Sequence, residues 1–366
     1  MGIFSTVLIV CLITGILAFV LSLANKTIAN YGQKKITING DKEIEIEGGN
    51  SLLSSLVEKE IFIPSACGGK GSCGYCKVKV TEGGGPLLAT ETGFVSPSEA
   101  KEGIRLSCQV KVKDDIKIQI PEELFNVKQY NYTVESIVSV TDKIKHLRLK
   151  LPQDKEINFK PGQYIQILAP IYEESDEEVY RAYSLASSNA EKGLIELLIG
   201  LVPGGKCSTY VHKYLKEGDK ITIVGPFGDF YYQESQREMV MASIGTGMAP
   251  ILSILRYMKA NNITHRKATF YCGARAKSDL FMLDELKDIT DTLPNVKVIY
   301  TLSKPDEHDN WEGDLGRVTD SISKYMGDGS DKEAYLCGST VMIDSVVKLL
   351  KSMNMPEDKI YYDKFE

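Results

Sequence analysis

The chain has 366 residues, too many for one ordinary domain, so two or three domains are expected. Its 43% hydrophobic and 25% charged residues are typical of a folded globular protein and set disorder aside. The formal net charge of −6 argues against a nucleic-acid partner, since phosphate binding needs a basic surface.

Gly2 to Ala24 carry no charge, and as a helix these 23 residues would span about 34 Å, enough for a bilayer core. Ser22-Leu23-Ala24 resembles a signal-peptide cleavage site. However, Met1 to Ser5 lack the Lys or Arg of a signal n-region, and the apolar run exceeds the usual length. A retained transmembrane helix over 1–24 is therefore expected, followed by a polar linker over 25–34. Lys26, Lys34 and Lys35 come after the helix, so the positive-inside rule predicts that the rest of the chain is cytoplasmic.

Residues 35–123 contain strand-like alternation at Lys35-Ile36-Thr37-Ile38 and Lys77-Val78-Lys79-Val80. A short helix is predicted over Ser51–Lys59 between them, with Leu52, Leu53 and Leu56 on one face. This pattern predicts a small α+β domain. Over 130–232, short strands recur at Tyr132–Val140, His146–Lys150, Tyr164–Ala169, Leu194–Ile199 and Lys220–Val224. Their spacing and Gly/Pro turns predict an antiparallel β-barrel. The acidic run Glu173–Glu178 inside it reads as a solvated loop. Over 238–366, strands at Met239–Ala242, Ala268–Tyr271, Val296–Tyr300 and Ala334–Leu336 alternate with helices through Met258, around Leu280–Ile289 and from Val341. Such alternation predicts a doubly wound α/β domain.

Four of the eight cysteines, Cys67, Cys73, Cys76 and Cys108, cluster in the first of these segments. A reducing cytoplasm disfavours disulfides, so clustered cysteines point to metal. The run from Cys67 to Cys76 has C-x5-C-x2-C spacing, and Cys108 follows after 31 residues. Its glycines let the loop bend around an inorganic cluster, with backbone N–H groups aimed at sulfides. Three thiolates from one loop and a fourth from a distant turn is the layout of a [2Fe–2S] site. Structural zinc would want two short-spaced pairs. A Rieske centre would want two histidines, and none lies between Asn25 and His146.

Arg181-Ala182-Tyr183-Ser184 follows the strand opened by Pro161-Gly162-Gln163-Tyr164. Gly204-Gly205-Lys206-Cys207-Ser208 leads into a predicted helix at Thr209, where backbone N–H groups and a hydroxyl would suit a pyrophosphate. Gly225-Pro226-Phe227-Gly228 closes the barrel with a turn. Gly245-Thr246-Gly247-Met248-Ala249-Pro250 joins a strand to a helix, the context of a nucleotide-binding turn, although the pattern is GxGxxP. Cys337-Gly338-Ser339-Thr340 occupies another strand-to-helix junction. Cys11 and Cys272 read as small buried residues, while Cys207 in the phosphate turn stays ambiguous.

In this order, these motifs resemble the ferredoxin–NADP⁺ reductase superfamily fused to a plant-type ferredoxin. Within it they resemble the F subunits of Na⁺-translocating NADH:quinone reductases. The resemblance implies a ferredoxin-like (β-grasp) domain, a FAD-binding barrel and an NADH-binding domain over the three segments. Arg181 would contact the FAD pyrophosphate, Tyr183 would stack on the isoalloxazine, and Ser184 would bond near flavin N5. Gly205 and Ser208 would form the diphosphate loop, while Gly245, Gly247 and Pro250 would bind the nicotinamide nucleotide. Cys337 would lie beside the nicotinamide, and Phe365 would cover the flavin ring. Arg275, Lys277 and Ser278 stand where NADPH enzymes keep 2′-phosphate readers, whereas the resemblance implies NADH. Two features depart from the family: the short segment Ile171 to Tyr180, and Ser339 where Pro commonly follows the glycine.

Nicotinamide delivers two electrons as hydride and an iron–sulfur cluster accepts one, so a flavin between them bridges the two regimes. The resemblance implies a bacterial inner-membrane enzyme that passes electrons to other subunits of a quinone-reducing sodium pump. The alternatives are a tethered reductase for another acceptor, such as an oxygenase, and a non-enzymatic ferredoxin-like carrier.

Overall fold

The computed structural model describes residues 3–28, 31–65, 67–152 and 155–365. The chain divides into two compact units, Met1–Val127 and Lys128–Glu366.

The first unit opens with α1 (Ile3–Ile28), whose described large apolar side chains between Val7 and Val20 are half exposed or more. Among the described residues no helix is long and apolar enough to cross a membrane. Residues 1 and 2, at the start of the expected anchor, lie outside the described residues. After α1 come β1 (Gln33–Ile38), β2 (Lys42–Glu47), α2 (Leu52–Glu58), β3 (Lys77–Glu82), α3 (Pro97–Lys101), β4 (Ile104–Leu106) and β5 (Ile116–Gln119). The strands form one sheet in the order β2-β1-β5-β3-β4, with β1 and β5 parallel and the other pairs antiparallel. Period-2 alternation turns Ile36 and Ile38 inward beside Ile116 and Ile118, their register partners. Ser51 caps α2 by accepting the Ser54 N–H, and Leu52, Leu53 and Leu56 complete the same core. Each such side chain contributes about 1.5–3 kcal/mol on burial. That core anchors both ends of the cysteine loop between α2 and β3.

The second unit begins with β6 (Lys128–Ser139), β7 (Ile144–Lys150), β8 (Tyr164–Ala169), β9 (Val179–Ser184), β10 (Leu194–Gly200), α4 (Lys206–Thr209) and β11 (Lys220–Phe227). A π-helical turn, Tyr210–Tyr214, extends α4. The sheet runs β10-β7-β6-β11-β8-β9 and is antiparallel throughout. Leu185, just past β9, bridges to Leu197 in β10, so the sheet curls until its edges meet. The acidic run is a solvated loop, as expected, and its exposed carboxylates also pair with the helix after the glycine turn. Lys206 pairs with Asp176 and Glu177 at 3.1 Å, and Lys213 pairs with Glu174 at 2.9 Å. Only the curl of the barrel brings these charges together.

The same unit continues with β12 (Glu238–Ile244), α5 (Met248–Ala260), β13 (Ala268–Ala274), α6 (Leu283–Thr292), β14 (Val296–Leu302), β15 (Asp314–Leu315), α7 (Val318–Tyr325), β16 (Lys332–Ser339), α8 (Thr340–Ser352) and β17 (Ile360–Phe365). All strands are parallel, in the order β15-β14-β13-β12-β16-β17. The order reverses between β12 and β16, and ligands of such sheets bind beyond the strand ends at that reversal. Helix α6 begins later than the pattern suggests because Met282 adopts a left-handed turn, φ 56°, immediately before it. The C-terminal segment, open to fraying on sequence grounds, is an edge strand in which Phe365 pairs with Ser339.

Candidate redox site

In the first unit the four clustered cysteines form two pairs. The sulfurs of Cys67 and Cys73 lie 3.4 Å apart, and those of Cys76 and Cys108 lie 3.3 Å apart. Two thiol pairs match two bridged irons, each needing two protein thiolates. Among the described residues no three Cys, His, Asp or Glu side chains converge as a single-ion site requires. Backbone N–H groups of Ser72 and Lys70 donate to Cys67, that of Tyr75 to Cys73 and that of Gly71 to Cys108. Within each pair one thiol donates to the other. The S–H of Cys73 draws Cys67 down to about 3, and that of Cys76 draws Cys108 down to about 7, while both donors are pushed up. Four cysteines brought together as two close sulfur pairs fit a [2Fe–2S] cluster.

Two further features brace this loop. Gly74 has φ 72°, and a Cβ there would approach the Phe94 ring to 2.7 Å, so only glycine fits. Arg105 donates to buried Glu91 at 2.9 and 2.6 Å and to the carbonyls of Gly84, Gly85 and Pro86 at 2.8–2.9 Å. Glu91 also accepts the Leu106 N–H at 2.9 Å, two residues before Cys108. Sequence reasoning passed over this clamp, because one Arg and one Glu separated by a loop form no pattern.

In the second unit, β9 carries Arg181 and Tyr183 on one face and buried Ser184, opposite Tyr164, on the other. The Tyr183 hydroxyl and the Cys207 thiol are hydrogen-bonded; burial pushes both pKa values up, that of Cys207 to about 11. Cys207 is thus a neutral thiol packed on Tyr183. The Ser208 hydroxyl accepts the Val202 N–H and donates to the Gly205 carbonyl, each at 3.1 Å. It closes the turn on itself, leaving the backbone of the glycine turn as the surface a diphosphate would meet. Gly205 caps α4, and a Cβ there would sit 2.8 Å from the Ser208 oxygen.

At the sheet reversal, Gly245–Gly247 forms one 3₁₀ turn that runs into α5, with Pro250 buried in the first helical turn. Gly247 lies directly against the Cys337–Gly338 backbone, leaving no room for a Cβ. Cys337 is fully buried, and burial, reinforced by Asp363 beside it on β17, raises its thiol well above the ordinary range. Its register partner Ser243 is also buried, and its hydroxyl lacks a hydrogen-bond partner. Ser243 lies two residues before the glycine turn and was not singled out from the sequence. Gly200, at the end of β10, abuts the Thr246 side chain, so the barrel edge meets the Gly245–Gly247 turn. Arg275 is exposed just beyond β13, and its carbonyl accepts the Lys304 N–H at 2.8 Å. Lys277 donates to Asp309 through both its backbone N–H and its ammonium.

The sequence matches the 2Fe-2S iron-sulfur cluster binding domain over residues 36–113. It matches the oxidoreductase FAD-binding domain over 131–232 and the oxidoreductase NAD-binding domain over 241–348. It is 38% identical over 390 residues to the F subunit of the Na(+)-translocating NADH-quinone reductase of Neisseria meningitidis, with 96% of each chain covered. It is 39% identical over 390 residues to that of Histophilus somni, covering 95% of this chain and 96% of that one. Among solved structures, an Amycolatopsis cytochrome P450 reductase matches with a TM-score of 0.73 and 25% identity, covering 91% of this chain and 98% of that one. The ferredoxin reductase of carbazole 1,9a-dioxygenase shares the fold, with a TM-score of 0.70, 23% identity and the same coverage. The chain is an oxidoreductase with FAD-, NAD- and [2Fe–2S]-binding domains. Matched along nearly its whole length, it belongs to the family of Na⁺-translocating NADH-quinone reductase F subunits.

Proposed function

We propose that this chain takes hydride from NADH onto FAD and passes single electrons to a [2Fe–2S] cluster held by Cys67, Cys73, Cys76 and Cys108. From there they would go to other subunits of a membrane-bound, quinone-reducing complex. The division runs as 35–123 for the cluster, 130–232 for FAD and 238–366 for NADH. The observation that carries this reading is the approach of the Gly245–Gly247 turn to Cys337 at the sheet reversal, on a chain that also bears two thiol pairs.

FAD, when bound, supplies the conversion of a hydride into separate electrons. The residues' part is to bind and align. Arg181 meets the diphosphate, Tyr183 gives a flat wall to the ring, and Ser184 closes the opposite face of β9. Gly245, Gly247 and the first turn of α5 offer backbone to the nucleotide phosphates. Cys337 remains a neutral thiol, so it shapes the nicotinamide pocket without moving a proton. The Asp309 carboxylate beside Lys277 disfavours a 2′-phosphate, which supports NADH over NADPH. The uncharged sequence run Gly2 to Ala24, with Lys26, Lys34 and Lys35 after it, supports a single membrane pass with the folded units on the cytoplasmic side of a bacterial inner membrane.

Anaerobic stopped-flow mixing with NADH should bleach the flavin and then produce the EPR signal of a reduced cluster. Replacing any one of Cys67, Cys73, Cys76 or Cys108 by Ser should abolish or distort that signal while FAD stays bound. A cluster that stays oxidised beside reduced flavin, or a larger kcat/KM for NADPH, would overturn the corresponding part of the reading. A second reading, a tethered reductase for an oxygenase-type acceptor, draws on the likeness to the P450 reductase. Copurification from mild detergent with an oxygenase instead of quinone-reductase subunits would favour it.

A further inference from the structure

Helix α5 continues directly from the Gly245–Gly247 turn, and one of its faces grips the flavin barrel. Ser253 and Arg256, three residues apart, lie on that face. The Ser253 hydroxyl donates to the Ser187 carbonyl at 2.7 Å and accepts the Gly162 N–H at 3.3 Å. Arg256 donates to the Ala186 carbonyl at 3.0 Å and to the Glu196 carboxylate at 2.8 Å. Ala186 in turn donates its N–H to the Glu196 carbonyl at 2.8 Å. Both side chains therefore hold backbone two or three residues beyond Ser184, where the strand carrying Arg181 and Tyr183 ends.

The remaining edge of the Arg256 guanidinium forms a fork with Glu285 of α6, at 2.5 and 2.8 Å. Arg256 thus joins a carboxylate of the barrel to a carboxylate of the nucleotide domain. Its own side chain is 15% exposed, and that of Glu196 is 6% exposed. A largely buried ion pair of this kind adds little net stability over apolar packing; what a planar fork supplies is direction. Glu196 also accepts from His146 at 2.7 Å and Arg148 at 2.6 Å. Loss of Arg256 would therefore not leave that carboxylate alone.

We propose that Arg256 is a positioning residue for hydride transfer, setting how the Gly245–Gly247 turn is aligned with the β9 strand. The proposal rests on the reading above, in which the turn holds nicotinamide nucleotide and the strand holds flavin. Misplacing reacting groups by about 1 Å can cost roughly 100-fold in rate.

The test uses the full chain loaded with FAD and cluster, comparing Arg256→Met and Arg256→Lys with the parent by anaerobic stopped flow. In Arg256→Met, flavin reduction at saturating NADH should slow about 10- to 100-fold. Flavin content and the dithionite-reduced cluster signal should match the parent. The isotope effect with NADH deuterated at the transferred position should become more fully expressed, and the absorbance of the complex between oxidised nicotinamide and reduced flavin should fade. Arg256→Lys, which keeps the charge and loses the fork, should recover part of the rate. A folded, flavin-loaded Arg256→Met that reduces at the parental rate overturns the proposal, as does a loss confined to NADH affinity. If Arg256→Met does not fold, Arg256→Lys decides: a parental rate and isotope effect overturn the proposal. Should the parent itself fail to reduce with NADH, the functional reading fails first, and visibly so.

Discussion

Gly247 and the carbonyl of Cys337 are in contact, with no space between them for a methyl group. The turn after β12 and the end of β16 are thereby locked together at the point where the strand order reverses. A Cβ on Gly247 would come within 2.6 Å of the Cys337 carbonyl carbon and 2.9 Å of the Gly338 nitrogen. Both are backbone atoms that cannot rotate away.

Gly247→Ala should therefore force the turn off β16. Overpacking of this kind costs about 1–3 kcal/mol, and in a unit of this size each kcal/mol lowers Tm by roughly 2–4 °C. NADH-driven flavin reduction should fall at least about tenfold, with FAD still bound by the barrel. A variant with parental Tm and parental reduction rate would show that the turn yields freely.

The Arg105–Glu91 clamp gives a prediction in acid. Burial alone would raise the Glu91 carboxyl, but the Arg105 guanidinium and the N–H groups of Leu88 and Leu106 outweigh it and hold it below the ordinary range. A depressed folded-state value stabilises the fold above the ordinary carboxyl value, and that stability is lost as pH falls through the folded value. The clamp should thus be at full strength at neutral pH and fail only in acid. Arg105→Met leaves Glu91 buried without its cation and should cost about 3–5 kcal/mol at pH 7. Bleaching of the visible circular dichroism of the cluster against denaturant measures this. The double change with Glu91→Gln should recover part of the loss, and no loss in Arg105→Met would remove the clamp from the account.

Phe365 continues the sheet beside Ser339, at the strand ends where the nucleotide is proposed to lie. If it shields the flavin and moves aside for nicotinamide, Phe365→Ala should shift the flavin absorbance band and change the rate of hydride transfer. With both unchanged, β17 would serve only to close the sheet.

Deleting residues 1–26 tests the tether. NADH oxidation with an artificial acceptor should stay near its full rate, because neither thiol pair nor sheet reversal uses α1. Electron delivery to the native membrane acceptor should drop sharply, since a tether raises effective concentration without new docking contacts. Undiminished native turnover would favour a soluble acceptor.

The sequence by itself determined whatever depends on neighbours along the chain. The C-x5-C-x2-C loop, the alternation of Ile36 and Ile38, the Ser51 cap and the order of cluster, flavin and nucleotide domains are all local signals. Each follows from a backbone period or a glycine where a turn requires one. The tertiary structure alone decided how distant residues pair. It set Cys67 with Cys73 and Cys76 with Cys108. It tied the acidic run to Lys206 and Lys213, and it turned the C-terminal residues into an edge strand. It also brought Arg256 to Ala186 and Glu196, residues 70 and 60 positions away. Such contacts have no period to betray them: they exist only because a curled barrel and a twisted parallel sheet bring remote carbonyls and carboxylates within hydrogen-bond reach.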